Sequence, residues 1–317
     1  MRIKSFFKLV EIQTKLASVI PFLLGSVYAL YRFNEFNIIN FILMLISLIN
    51  VDMMTTAINN YIDYKKANKT YGYNYEKHNA IVRYKLKEST VILTIITLFI
   101  IASISGFILF LRTDIVVLIL GVISFIVGIC YSFGPVPISR TPSGEIFSGF
   151  FMGFVITFIA AYVHIFDKGL ISISYNNSLV LLSINLKEII YLFLLSLPTV
   201  IGVSNIMLAN NICDIEDDIV NKRYTLPIYI GKEKSLMIYK ILYYLLYLNI
   251  IVTVLLGINS LIVILTLATF IVVNKNIKVF YGKQTKKDTF STAVQNFALI
   301  NFIYLLTIGI GIIIPVG

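Results

Sequence analysis

Nine apolar runs, each long enough to cross a bilayer, leave this chain little choice of fold. A hydrocarbon core about 30 Å thick takes ~20 apolar residues of α-helix. The runs over residues 12–32, 38–62, 90–111, 115–133, 144–166, 187–212, 235–256, 259–279 and 290–314 meet that length. Inside hydrocarbon every backbone N–H and C=O has to be satisfied within the chain, so each run is predicted to be a helix. The seventh and eighth are separated only by Gly257-Ile258-Asn259, room for a tight turn in the headgroup region. No soluble-looking segment interrupts the series. The expectation is one all-α membrane domain over residues 1–317 with nine transmembrane helices.

Composition agrees with this. The chain is 58% hydrophobic and 13% charged, where a soluble domain carries about a quarter charged residues. Cys130 and Cys213 lie far apart without metal-type spacing, so neither a disulfide framework nor a zinc site is indicated. His78 and His164 cannot build a multi-histidine centre. The net charge of +10 does not point to nucleic acid, because the basic residues lie in short loops between apolar runs. The lysines before Leu16–Leu30 imitate a signal peptide, but no small-residue cleavage site follows, and this run is read as the first membrane helix.

The N-terminal segment and the loops after runs two, four, six and eight hold 21 of the 26 Lys and Arg residues. The opposite loops hold Arg32, Arg112, Lys168 and Lys187. The positive-inside rule then places the N-terminus and the even-numbered loops in the cytoplasm and the C-terminus outside, in a multi-pass protein of the cytoplasmic (inner) membrane.

Two polar clusters break the apolar pattern. Run two ends in Asn59-Asn60-Tyr61-Ile62-Asp63, and run six in Asn210-Asn211-Ile212-Cys213-Asp214, continuing Ile215-Glu216-Asp217-Asp218. Both read Asn-Asn-x-x-Asp at a cytoplasmic helix end, which has the look of an internal repeat around a site. The i, i+4 spacing stands Asn59 with Asp63, and Asn210 with Asp214 and Asp218, on one helix face. Carboxylates at membrane depth are costly and point to function. Asp and Asn oxygens suit a hard cation such as Mg²⁺, which shares its shell with phosphates and waters. Lys65, Lys66 and Lys69 follow the first cluster, and Lys222 and Arg223 the second. Carboxylate, metal and cation together are what a departing diphosphate needs. One such cluster could be a solvated helix end; two matching ones on the same side argue for a site.

The second cluster, running on through Asn221-Lys222-Arg223-Tyr224-Thr225-Leu226 to Gly231, resembles the second Asp-rich motif of the UbiA-type intramembrane aromatic prenyltransferases. Tyr131-Ser132-Phe133-Gly134-Pro135-Val136-Pro137-Ile138, with Gly144-Glu145 beyond it, is similar to the segment between helices four and five in the branch acting on 1,4-dihydroxy-2-naphthoate. The chain departs from the family pattern at Asn60 and Ala67, where Asp is usual, and at Cys213, where that branch often has Arg. Asn79-Ala80 replaces an Arg-Pro, with Arg83 close by.

The resemblance implies nine helices bundled around a central cavity under cytoplasmic cap loops, and transfer of a polyprenyl group from an allylic diphosphate to an aromatic acceptor in menaquinone biosynthesis. By it, Asn59, Asn60, Asp63, Asp214 and Asp218 hold Mg²⁺ and diphosphate, with Asn210 beside them. Lys222, Arg223, Lys65, Lys66 and Arg83 contact phosphate, and Tyr131 and Lys15 approach the acceptor. Its partners are then polyprenyl diphosphate, the acceptor and the bilayer, with no nucleic acid. The 23 Phe and 20 Tyr could shield an allylic cation. Other acceptors such as 4-hydroxybenzoate, homogentisate or a lipid alcohol, and a non-catalytic isoprenoid-binding protein, fit the same fold. A transporter would be expected to place its polar residues at the midplane rather than at helix ends.

Several residues carry plainer expectations. Asp52 either faces the cavity or bonds a neighbouring helix. His78 is expected to be solvated, and His164 to be interfacial and away from the site. Tyr71, Tyr73 and Tyr75 anchor at the interface or cap the site, and Gly149 and Gly153 mark close helix packing.

Overall fold

The structure, a computed structural model, describes residues 1–67, 70–71, 73–176 and 179–314; Lys69 lies outside them. Among the described residues nine helices are long and apolar enough to span a membrane. They are α1 Ile12–Phe33, α2 Ile38–Lys65, α3 Glu88–Arg112, α4 Ile115–Ser132, α5 Gly144–Ile165, α6 Leu186–Cys213, α7 Lys232–Leu255, α8 Leu261–Gly282 and α9 Ser291–Ile313. Each coincides within a few residues with one apolar run.

Local chemistry sets their ends. Asn37 caps α2 by accepting from the backbone N–H groups of Ile39 and Asn40, and Asp114 caps α4 through Val116 and Val117. Gly257, at φ +65°, makes the turn that separates α7 from α8. The all-α expectation needs one addition. The loop between α5 and α6 forms an antiparallel hairpin, β1 Ile171–Asn176 and β2 Leu179–Ile184, with Ile171 opposite Ile184.

α1 packs against α5, α9, α2 and α6, and α6 against α5, α7 and α9, so these two helices form the inside of the bundle. Two close approaches need glycine. A Cβ on Gly25 of α1 would stand 2.1 Å from the Thr157 carbonyl of α5, and one on Gly153 of α5 would stand 2.5 Å from the Val200 backbone of α6. Gly149 meets α6 in the same way, which is the packing expected of this pair. α3 and α4 lie at the periphery with most of their apolar side chains turned outward, toward lipid. His164 lies away from the polar clusters as expected, but it is buried rather than interfacial, stacked on Phe36 and accepting from the Asn37 backbone N–H at 3.0 Å.

Candidate active site

The C-terminal ends of α2 and α6 come together on one side of the bundle, beneath all four even-numbered loops. Between them lies a polar cavity of about 110 Å³. Asp63 and Lys66 line it from α2 and its end, and Tyr75, His78 and Asn79 from the loop after it. Arg140 comes from the loop between α4 and α5. Asp214, Asp217, Asp218, Asn221 and Arg223 follow α6, and Lys286 comes from the loop before α9.

Three carboxylates here are each matched to a cation from a different loop. Lys286 Nζ lies 2.5 Å from Asp214 Oδ2, Arg223 Nε 3.4 Å from Asp218 Oδ1, and Arg140 Nη2 3.5 Å from Asp63 Oδ1. α6 ends at Asp214, and the chain resumes at once as a short helix, Ile215–Val220. This break keeps the i, i+4 relation: the Asp218 N–H donates to the Asp214 carbonyl at 2.7 Å, and both side chains are buried. Thr225 Oγ1 donates to Asp218 Oδ2 at 3.3 Å, and Asn210 Nδ2 approaches Asp214 Oδ2 at 3.5 Å.

Burial pushes the Asp218 carboxyl up to about 6, with Arg223 pulling against it and Asp214 adding to it. Burial also works against the charge on Arg223, but Asp218, Asp63 and Asp214 outweigh it and hold the guanidinium above its ordinary value. His78 is pushed down, chiefly by burial, with Glu11 opposing and Lys286 and Lys8 assisting.

A second cavity, about 150 Å³ and mostly apolar, lies deeper in the bundle. α2 reaches both: Val51, Asp52 and Thr55 face the deeper one and Asp63 the polar one, with Asn59 on the same helical face between them. Ser18, Tyr131, Phe147, Ser148 and Phe151 also line the deeper cavity.

Of the residues singled out from sequence, Asp63, Asp214, Asp218, Lys66 and Arg223 meet in the polar cavity, Asn210 borders it through Asp214, and Tyr131 lines the deeper one. Several others need correction. Lys65 pairs with Glu88 at 2.8 Å on the outside of α2, because its position on the helix turns it toward α3. Lys222 is exposed in a left-handed turn at φ 53°, which leaves Arg223 as the cation facing inward. Arg83 is exposed and lies over the Tyr84 ring. Asn60 spends its amide on the N-terminal segment, donating to the Leu9 carbonyl at 3.0 Å and Glu11 Oε1 at 3.4 Å, so it holds that segment rather than facing the cavity. Lys15 is bound to Asp52, and Asp52 does both things expected of it: it bonds a neighbouring helix and faces a cavity. His78 is not merely solvated; it lines the polar cavity 3.5 Å from Glu11. Tyr75 lines it too, and Tyr71 is exposed.

Sequence reasoning missed Arg140, Lys286 and Glu145. Arg140 was legible as the single basic residue of a short loop, whereas Lys286 was one of several in a basic run. Glu145 is buried at the start of α5, where Asn211 Nδ2 donates to its Oε1 at 2.9 Å; it supports the residue next to Asn210.

Among the described residues, then, nine helices long and apolar enough to cross a membrane gather carboxylate and basic side chains around one polar cavity at one end. The model of the UbiA prenyltransferase family matches residues 18–306, and the chain belongs to that family; by family it is a multi-pass membrane prenyltransferase. It is similar to 1,4-dihydroxy-2-naphthoate octaprenyltransferase of Bacillus subtilis (strain 168), with 31% identity over 227 residues, 72% of this chain and 66% of that one. Its fold matches a UbiA homologue of Aeropyrum pernix K1 in the apo state (TM-score 0.64, 18% identity, 99% of each chain). It also matches one of Archaeoglobus fulgidus bound to GPP and Mg²⁺ (TM-score 0.63, 14% identity, 98% of this chain and 99% of that one).

Proposed function

We propose that this chain transfers a polyprenyl group from an allylic diphosphate to 1,4-dihydroxy-2-naphthoate, in a Mg²⁺-dependent reaction at the polar cavity. The observation that carries the reading is that Asp63, Asp214 and Asp218 surround one cavity and each faces its own cation. The named activity of the Bacillus subtilis relative supports the acceptor, and the bound GPP and Mg²⁺ of the Archaeoglobus fulgidus homologue support the diphosphate and the metal.

The donors present fit such an ion. Among the described residues no three His, Cys, Asp or Glu side chains converge on one point. Mg²⁺ is commonly held by one or two carboxylates, with substrate phosphate and water completing its octahedron. Asp214 and Asp218 would hold it on one side of the cavity and Asp63 on the other. Bound there, it would offset the charge of the diphosphate. Lys66, Arg140, Arg223 and Lys286 supply the remaining positive charge and stabilise the diphosphate as its C–O bond breaks. The allylic cation so formed is attacked by an electron-rich carbon of the acceptor ring, and the ring regains its aromaticity as that carbon releases the group it carried, a proton or its carboxylate as CO₂. Tyr131, Phe147 and Phe151 line the deeper cavity, where their rings would exclude water and stabilise that cation.

The test is product identification. Purified protein in nanodiscs would receive radiolabelled polyprenyl diphosphate with 1,4-dihydroxy-2-naphthoate, 4-hydroxybenzoate or homogentisate. Prenylation of the naphthoate is the expected result; prenylation of another acceptor in its place would overturn the substrate assignment.

A further inference from the structure

The deeper cavity contains more polar chemistry than an isoprenoid chain can use. Asp52, on the lipid-depth part of α2, lines it with its side chain 13% exposed. The carboxylate is fixed from two directions. Lys15 Nζ donates to Oδ1 at 2.5 Å, and Ser18 Oγ donates to Oδ2 at 2.5 Å. Lys15 also donates to the Asp52 carbonyl at 3.1 Å and to Thr56 Oγ1 at 2.7 Å, so its three hydrogens are all used inside the protein. Each Asp52 oxygen keeps a further lone pair. Across the cavity, α4 presents Ser124 and Tyr131, which share a helix face at i, i+7. Both hydroxyls are buried and without a hydrogen-bond partner among the described residues.

A prenyl chain here would leave the Ser124 and Tyr131 hydroxyls unpaired against hydrocarbon, and unpaired buried polar groups are expensive. A carboxylate placed against Asp52 would be repelled, since Lys15 has no donor left for it. What the lining matches is a flat ring carrying hydroxyl groups, one donating to Asp52 and another bonding Tyr131 or Ser124. α4 packs on the external half of α5, Ile156–Ile165, while the cavity fills the space between their cytoplasmic halves, with Phe147 at its edge turned outward.

We propose that Asp52, fixed by Lys15 and Ser18, selects the acceptor by accepting a hydrogen bond from a ring hydroxyl, and that the acceptor ring occupies the cavity between α2, α4 and α5. This rests on the reading of the chain as an aromatic prenyltransferase, and its test needs no turnover. The probes are 1,4-dihydroxynaphthalene and its dimethyl ether, titrated into the nanodisc protein without diphosphate or Mg²⁺. Their fluorescence is read against a chain that contains no Trp. The dihydroxy ring should bind at least about tenfold more tightly than the ether, in keeping with a buried hydrogen bond to a charged group.

Asp52→Asn alone leaves Lys15 buried without its counter-ion and risks misfolding, so the deciding variant is Lys15→Met with Asp52→Leu. Replacing both members of a buried pair by apolar residues of similar size is well tolerated. In that double variant the preference should shrink to threefold or less. In turnover the acceptor KM should rise about tenfold, with the prenyl diphosphate KM within about twofold. An undiminished preference in the double variant, or no preference in the wild type, would overturn the proposal. Failure to consume prenyl diphosphate with any acceptor would instead count against the enzymatic reading, with the ring-binding result standing by itself.

Discussion

In the proposed reaction Asp214 and Asp218, side by side in the polar cavity, hold the metal. Each is buried and paired with a cation, so neutralising either removes a proposed ligand and frees a positive charge at once. Asp214→Ala and Asp218→Ala should each lower turnover by roughly a thousandfold or more while the protein stays folded in the membrane; near-normal turnover in both would remove the metal-site assignment. Lys168→Ala, at the opposite end beside Glu35, should leave turnover unchanged. Lys286 makes a finer prediction. Its ammonium pairs with Asp214 Oδ2 at 2.5 Å, the carboxylate proposed to take the ion, and so competes with it. Lys286→Gln should therefore tighten Mg²⁺ binding, measured by calorimetry, yet slow turnover about tenfold because the departing diphosphate loses a cation. Asp218 adds a pH dependence. Its folded-state value, about 6, lies above that of an unfolded carboxyl. Its contribution to stability is thus present at low pH and lost as pH rises through 6, and metal binding has to displace a proton below that point. Calorimetry in buffers of different ionisation enthalpy should detect proton release on Mg²⁺ binding at pH 6 and none at pH 8.

At the scale of helices, hydropathy alone marked all nine spans, because lipid forces each backbone to satisfy itself locally. The hairpin Ile171–Ile184 was not legible: it lies outside hydrocarbon, and its apolar side chains, such as Tyr175 and Leu182, are largely exposed, leaving no buried face to set a pattern. The site was half legible. Asp63, Asp214 and Asp218 announced themselves by a repeated motif with a regular helical spacing. Arg140 stood out only as the lone basic residue of its loop and Lys286 not at all, since both reach the cavity through the packing of loops distant in sequence. Lys65 and Lys222 misled for the converse reason: nearness in sequence to an aspartate does not decide which side of a helix end a side chain takes. Close packing offers its own test. Gly153→Val would drive a side chain into the Val200 backbone of α6. It should cost about 1–3 kcal/mol, seen as a lower thermal midpoint with reduced activity.

Across the whole molecule, every even-numbered loop contributes to one cavity, so they share one side of the membrane, as the basic-residue distribution requires. We place that side in the cytoplasm. With Cys130 and Cys213 replaced by Ser, an impermeant maleimide should label Lys168→Cys on intact cells and Lys287→Cys only after permeabilisation; the reverse pattern would invert the topology. This loop-lined cavity is proposed to bind a diphosphate together with a divalent ion. The most direct measurement is calorimetric titration of a non-reactive prenyl thiodiphosphate into the purified protein, with and without Mg²⁺, for the wild type and for the Asp214→Ala, Asp218→Ala double variant. Binding that requires Mg²⁺ in the wild type and disappears in the double variant is the predicted result. Equal binding without Mg²⁺, or binding unchanged by loss of the two carboxylates, would contradict it.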